Sequence, residues 1–168
     1  MYLQNLQVTA MVKLEIRQII EQEAHEAEID ADLVEAFVIV ESSGNPEATR
    51  YEPAFYKTYI LPMLYANNNL SPEEARKLAT SWGLMQIMGQ VARERGFKGE
   101  MEELLEPATG LEWSLKHLKR FILKHPDMDS AIASYNAGSP RRREDGNFVN
   151  QDYVNKVKRF WKLIRGEA

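Results

Sequence analysis

The run Leu33-Val34-Glu35-Ala36-Phe37-Val38-Ile39-Val40 is apolar almost all round, with Glu35 the sole interruption. A helix without a polar face must be wrapped by other elements, so this run predicts a buried central helix and a fold built around it. Asp30 or Asp32 can cap its start, and Gly44 and Pro46 stop it. The run ends on Glu41, followed at once by Ser42-Ser43-Gly44-Asn45-Pro46. A carboxylate on the last turn of a buried helix meets desolvation and the negative end of the helix dipole, and both disfavour its ionised form. A carboxyl group kept protonated near neutral pH is what a general acid for glycosidic cleavage requires. The competing reading is a Glu that merely ends a core helix and points into solvent.

Nearly every other segment also reads as helical. Met11 to Ala27 carries Val12, Ile16, Ile19 and Ile20 at helical spacing. Phe55 to Asn67 predicts another helix, kinked or split at Pro62. Ser71-Pro72-Glu73-Glu74 is a capping box with Pro in the first turn. Leu84 to Arg95 predicts a helix closed by Gly96, and Pro107 opens a long one that His125-Pro126 ends. Asp127 or Asp129 caps a short helix terminated by Gly138, and Asn150 to Ile164 closes the chain. No segment alternates in the way a strand needs. The expectation is an all-α, mostly helical, single domain over residues 1–168, with an N-terminal helix at about 11–27 and a motif-bearing core at about 33–165.

Composition excludes several function classes. A net charge of −4 with an ordinary charged fraction does not describe a nucleic-acid binder or a ligand of anionic membranes. The absence of cysteine removes disulfides, thiolate metal sites and a cysteine nucleophile together. No stretch is apolar for long enough to span a bilayer. His25, His117 and His125 are scattered and none lies in a metal-ligand motif, so neither a metal nor any other cofactor is expected. Ser42 and Ser43 have no His nearby, which argues against a serine hydrolase. Arg141-Arg142-Arg143 reads as a solvated loop, with the alternative that it meets lactyl or peptide carboxylates of a substrate.

Two further segments place polar groups in apolar, glycine-marked settings. Ser81-Trp82-Gly83-Leu84-Met85-Gln86-Ile87-Met88-Gly89 holds a lone amide, and Ala133-Ser134-Tyr135-Asn136-Ala137-Gly138 puts a phenol and an amide at a helix end. Such groups find partners within the protein or in a ligand rich in hydroxyl and acetamido groups. Taken with Glu41-Ser42-Ser43-Gly44-Asn45-Pro46 and the later Tyr153-Val154, these segments resemble, in order, the signature of the soluble lytic transglycosylases, the lysozyme-like family 23 of glycoside hydrolases. The resemblance runs from about Leu33 to Val157. It implies a goose-type-lysozyme-like helical domain that cuts the β-1,4 bond between N-acetylmuramic acid and N-acetylglucosamine in peptidoglycan. It implies Glu41 as catalytic acid and base, Gln86 and Met88 along the sugar cleft, Tyr135 leaning toward the Glu, Asn136 shaping that corner, and Ser81 and Tyr153 as further substrate-binding residues.

The residue types suit that chemistry. Protonated Glu41 would donate to the leaving oxygen, then accept a proton from the attacking hydroxyl. If that hydroxyl is the sugar's own 6-OH, the product is a 1,6-anhydro ring, and the acetamido group replaces a second protein carboxylate. Tyr135 could position the Glu41 carboxyl, and Gln86 could bond an acetamido or hydroxyl group. Met88 would give soft contact to a sugar face.

The departures from the family pattern are specific. The segment from Arg50 to Thr80 intervenes between the first two motifs and reads as one or two extra helices. The family's loop Ser has its nearest counterpart in Ser81, Gly89 stands where many members carry Pro, and Val149 stands where some carry Glu. Glu52 follows soon after Glu41. It is either an ion-pair partner of Arg50 or a second carboxylate that positions water, which would make the enzyme an inverting muramidase. The remaining alternative is an inactive glycan-binding or cell-wall assembly module. The start Met1-Tyr2-Leu3-Gln4-Asn5-Leu6 is unlike a signal peptide, which points to a removed leader or to delivery of a phage-type endolysin to the cell wall. The partners expected are peptidoglycan strands, with no nucleic acid, no stable membrane insertion, and a monomer favoured.

Overall fold

In the computed structural model, residues 12–66 and 69–167 are described, and the predicted helix limits at Met11 and Asn67 lie outside them. The apolar run forms α2 (Ala31–Ser42), capped by the Asp30 carboxylate, which accepts from the Asp32 backbone N–H. Leu33, Val34, Ala36, Phe37 and Val38 are fully buried. Two helices pack directly on α2: α1 (Leu14–Ala27), through Ile16, Ile20 and Ala24, and the closing helix (Gln151–Ile164), through Val154 and Val157. Glu35, the one polar break in the run, is buried on Arg17, which also bonds Asp32 at 2.9 Å and Glu21 at 2.8 Å. The charge inside the core is therefore paired, as a buried carboxylate must be.

The segment predicted as a helix kinked or split at Pro62 is a continuous helical run with a change of winding just before that proline. It opens as α3 (Pro53–Phe55), passes through a π-helical turn (Tyr56–Ile60) and continues as α4 (Leu61–Ala66). The Leu61 N–H reaches back to the Tyr56 carbonyl, five residues away, immediately before Pro62. Pro62 has no N–H, and its ring would press on the carbonyl four residues earlier; the widened turn relieves that clash without breaking the helix. The capping box at Ser71 and Glu74 then starts α5 (Pro72–Leu78).

Leu84 to Arg95 departs from expectation. Helix α6 covers only Gly89–Glu94. Before it, Leu84 to Gln86 form a turn, and Ile87 and Met88 belong to a three-stranded antiparallel sheet in the order β1 (Thr49–Tyr51), β2 (Thr80–Trp82), β3 (Ile87–Met88). Arg50 pairs with Ser81, and Ser81 with Met88. Strands of two or three residues are too short to show alternation, and β2 is buried throughout, so neither left a readable pattern. Gly83 makes the β2–β3 turn at φ +72°, where a Cβ would stand 2.5 Å from the Leu104 carbonyl oxygen. Only glycine fits both the conformation and the space.

A 3₁₀ turn (Met101–Leu105) leads into α7 (Pro107–Lys124), followed by α8 (Met128–Ala137), capped by Asp127, and α9 (Gln151–Ile164). Helix α7 joins two cores. Leu111, Leu115 and Leu118 face the one around α2, while Trp113 packs on a second, made by Ile60, Leu78, Trp82, Ile87, Phe97 and Leu104. The fold is mostly helical, with the small sheet beside the end of α2. Among the described residues no helix is long and apolar enough to cross a membrane.

Candidate active site

Glu41 occupies the last turn of α2, which ends because Ser43 and Gly44 turn into the left-handed region at φ 53° and 78°. Its carboxyl is held from behind by α9: the Tyr153 hydroxyl donates to Glu41 Oε1 at 2.5 Å. Burial raises the Glu41 pKa to about 7, against the opposing pull of the Tyr153 hydrogen bond and the positive charge of Arg50. The group is therefore poised between acid and base near neutral pH.

The sequence motifs interlock around it. Ser42 Oγ donates to the Leu84 carbonyl at 2.8 Å, tying the first motif to the second. Tyr135 Oη donates to the Met85 carbonyl at 2.8 Å, tying the third to the second. The expectation that Tyr135 positions the Glu41 carboxyl is corrected here, because Tyr153 makes that bond and the Tyr135 hydroxyl is committed elsewhere. The Tyr135 ring still packs edge-on against Phe37, one helical turn before Glu41 on α2, at 5.0 Å. Gln86 sits at φ 51°, and its side-chain NH₂ donates to the Ala48 and Gly83 carbonyls at 2.9 and 3.0 Å. Those two bonds leave its side-chain oxygen as the polar atom they do not engage. Asn136 Oδ1 accepts from Asn150 Nδ2 at 3.0 Å, bracing the end of α8 on the start of α9.

A cleft of about 770 Å³ runs along this surface. It unites Glu41, Glu52, Ser81, Gln86, Met88, Tyr135 and Asn136, which are distant in sequence. Tyr153 is not among its lining residues and stands behind the acid. Glu52 is engaged by Arg50, whose Nε donates to its Oε1 at 2.5 Å. A smaller depression of about 420 Å³, beside Leu115, Lys119 and Leu123, contains no carboxylate and is not a competing site. The Arg141–Arg143 run is engaged in its own loop. Arg142 lies over the Phe148 ring and bonds the Gly146 carbonyl, and Arg143 bonds that of Val149.

The cleft also contains residues that no motif pointed to. Phe55 and Tyr59, 4.9 Å apart between ring centres, bring the 53–66 segment to one side of it. His117 lines it from α7 with its ring 5.5 Å from that of Tyr135. The signal for His117 was its place on the inner face of α7 with Ser114 and Phe121, spacing that reads equally as core.

Residues 18–156 match the family described as the transglycosylase SLT domain, a span that takes in all four interlocked segments. The chain belongs to that family. Members of the SLT family are lytic transglycosylases acting on peptidoglycan, so the chain is a peptidoglycan-cleaving enzyme that acts on the cell wall. No curated protein and no solved structure matches it significantly.

Proposed function

We propose that this SLT domain cleaves the β-1,4 bond between N-acetylmuramic acid and N-acetylglucosamine, with Glu41 as the single acid and base, and leaves 1,6-anhydro ends. The observation that carries this reading is the Glu41 carboxyl, raised to about 7 by burial and held by Tyr153 inside the cleft. Protonated Glu41 gives its proton to the glycosidic oxygen as the C1–O bond breaks, and the acetamido oxygen of the same sugar closes on C1. The Glu41 carboxylate then takes the proton of the 6-hydroxyl while O6 displaces the acetamido oxygen from C1. No water is consumed, and Glu41 ends the cycle protonated.

Gln86, with its NH₂ already donated to the backbone, offers its oxygen to an N–H or O–H of the sugar. Met88, Phe55 and Tyr59 supply apolar surface for sugar faces. Glu52 lies in the same cleft, and this supports the second reading, a muramidase in which it activates water. Its bond to Arg50 favours the first, because the guanidinium already occupies a carboxylate oxygen that would have to accept from the attacking water.

The test is the mass of the released muropeptides. Anhydro products from the wild type, lost in Glu41→Gln and retained in Glu52→Gln, are expected; general acid-base catalysis contributes roughly 10²–10⁴-fold. Hydrated reducing ends together with an inactive Glu52→Gln would establish the muramidase instead. A Glu41→Gln variant that clears cell walls at the wild-type rate would end the assignment of Glu41.

A further inference from the structure

Past Tyr135 the cleft continues to an end walled by α6 and α7. Glu94 reaches it from the last turn of α6 and Arg95 from the cap just past it, and His117, Arg120 and Lys124 from one face of α7 at i, i+3 and i+7. Arg95 Nε donates to His117 Nδ1 at 3.2 Å, so the imidazole is an acceptor there and carries no charge. Burial and the nearby charges of Arg95 and Arg120 hold His117 down to about 4, which keeps it neutral at physiological pH. The Arg95 guanidinium, bonded to a neutral ring, retains its full charge.

Among the described residues, none of Arg95, Arg120 and Lys124 belongs to an ion pair. Glu94 is the one carboxylate at this end, and it accepts from Gln90 Nε2 at 3.2 Å. Three cations against one carboxylate, on a chain of net charge −4, make a local excess that no internal partner balances. Sugar hydroxyl and acetamido groups are neutral and give such a wall nothing to neutralise. The anionic groups on a peptidoglycan strand are the free carboxylates of the peptides carried by its lactyl ethers, and any ammonium group on those peptides would be turned away from a cationic wall.

We propose that this end of the cleft is a subsite for the peptide-stem carboxylates of peptidoglycan, in which Arg95, Arg120 and Lys124 select stem-bearing strands over bare glycan. The inference rests on the cleft of the proposed function being the glycan site. It extends that reading from the bond cleaved to the form of the strand preferred. Guanidinium groups engage carboxylates with paired hydrogen bonds, and the ammonium group adds a mobile point charge.

The experiment compares kcat/KM on peptidoglycan that retains its stems with that on glycan strands stripped of them by an amidase and then amidated at the lactyl carboxyl that the amidase frees, so that the bare strand carries no charge. Arg120 and Lys124 are exposed, so the double variant Arg120→Gln/Lys124→Gln should fold normally; Arg95→Gln is measured separately. The ratio of stem-bearing to bare-strand kcat/KM is expected to fall about tenfold in the double variant and to lose its salt dependence. An unchanged ratio would overturn the proposal. Retention of the Glu41→Gln protein on each of the two substrates, immobilised on beads, separates this result from the catalytic assignment. Stronger retention on stem-bearing material, lost on adding the two Gln substitutions, supports the subsite even if the chemistry were assigned wrongly. Equal retention on both substrates would sink it even if Glu41 proved essential.

Discussion

The Tyr153 hydroxyl meets Glu41 Oε1 at 2.5 Å, closing a loop of chain that contains most of the domain. The two residues lie on α2 and α9, which pack along one another at the centre of the fold. Removal of the hydroxyl tests what the bond does. Because the bond favours the ionised carboxylate, Tyr153→Phe should raise the Glu41 pKa above about 7 and move the alkaline limb of kcat/KM to higher pH. The rate at the optimum should fall about tenfold to a hundredfold, from the roughly 1.5–3 kcal/mol of a hydrogen bond to a charged group. A lower rate with an unmoved limb would mean that Tyr153 only fills space.

Glu41 should also make stability pH-dependent. Its folded pKa, about 7, lies above the unfolded carboxylate value, so the unfolded chain releases its proton first as pH rises. Between about pH 4.5 and pH 7 the folded state binds more protons, and stability falls through that window. Glu41→Gln lacks this penalty. Its advantage over the wild type should be absent near pH 4, grow to about 1–3 kcal/mol by pH 7.5 and then level off. Denaturant melts at several pH values check it; parallel curves for the two proteins would contradict the buried-acid description.

Tyr135 predicts a different signature. Tyr135→Phe leaves the Met85 carbonyl without its donor, at a cost of about 1–3 kcal/mol. Activity should drop by about tenfold with little movement of the alkaline limb, since the hydroxyl does not touch Glu41. Thermal melting and the pH profile together distinguish it from Tyr153→Phe.

Gly83→Ala strikes the turn that carries Gln86. The added Cβ would sit 2.5 Å from the Leu104 oxygen at a positive φ, so the turn or the 3₁₀ segment must move. Destabilisation of about 2–4 kcal/mol is expected, with weaker glycan binding as the Gly83 and Ala48 carbonyls leave their places under Gln86. A melting temperature within 2 °C of the wild type, roughly the shift from half a kcal/mol, would show the contact to be soft.

The amino-acid order alone determined the central helix, because an apolar run with a cap and a stop leaves little choice of structure. The capping box, the long helix from Pro107 and the acid at the end of α2 were legible for the same local reason. The sheet was not, since its strands of two or three residues are set by pairing, β1 with a segment about thirty residues away and β2 with β3 across a tight turn, and local pattern carries no trace of pairing. Nor was the partner of Glu41. Both tyrosines stood in motif positions, and only the packing of α9 along α2 decided that Tyr153 reaches the carboxyl while Tyr135 reaches a carbonyl. The cationic end of the cleft was hidden for a further reason. Helix-face spacing on α6 and α7 fixes which residues share a side, but whether that side meets solvent, core or a groove depends on where the two helices are set against each other.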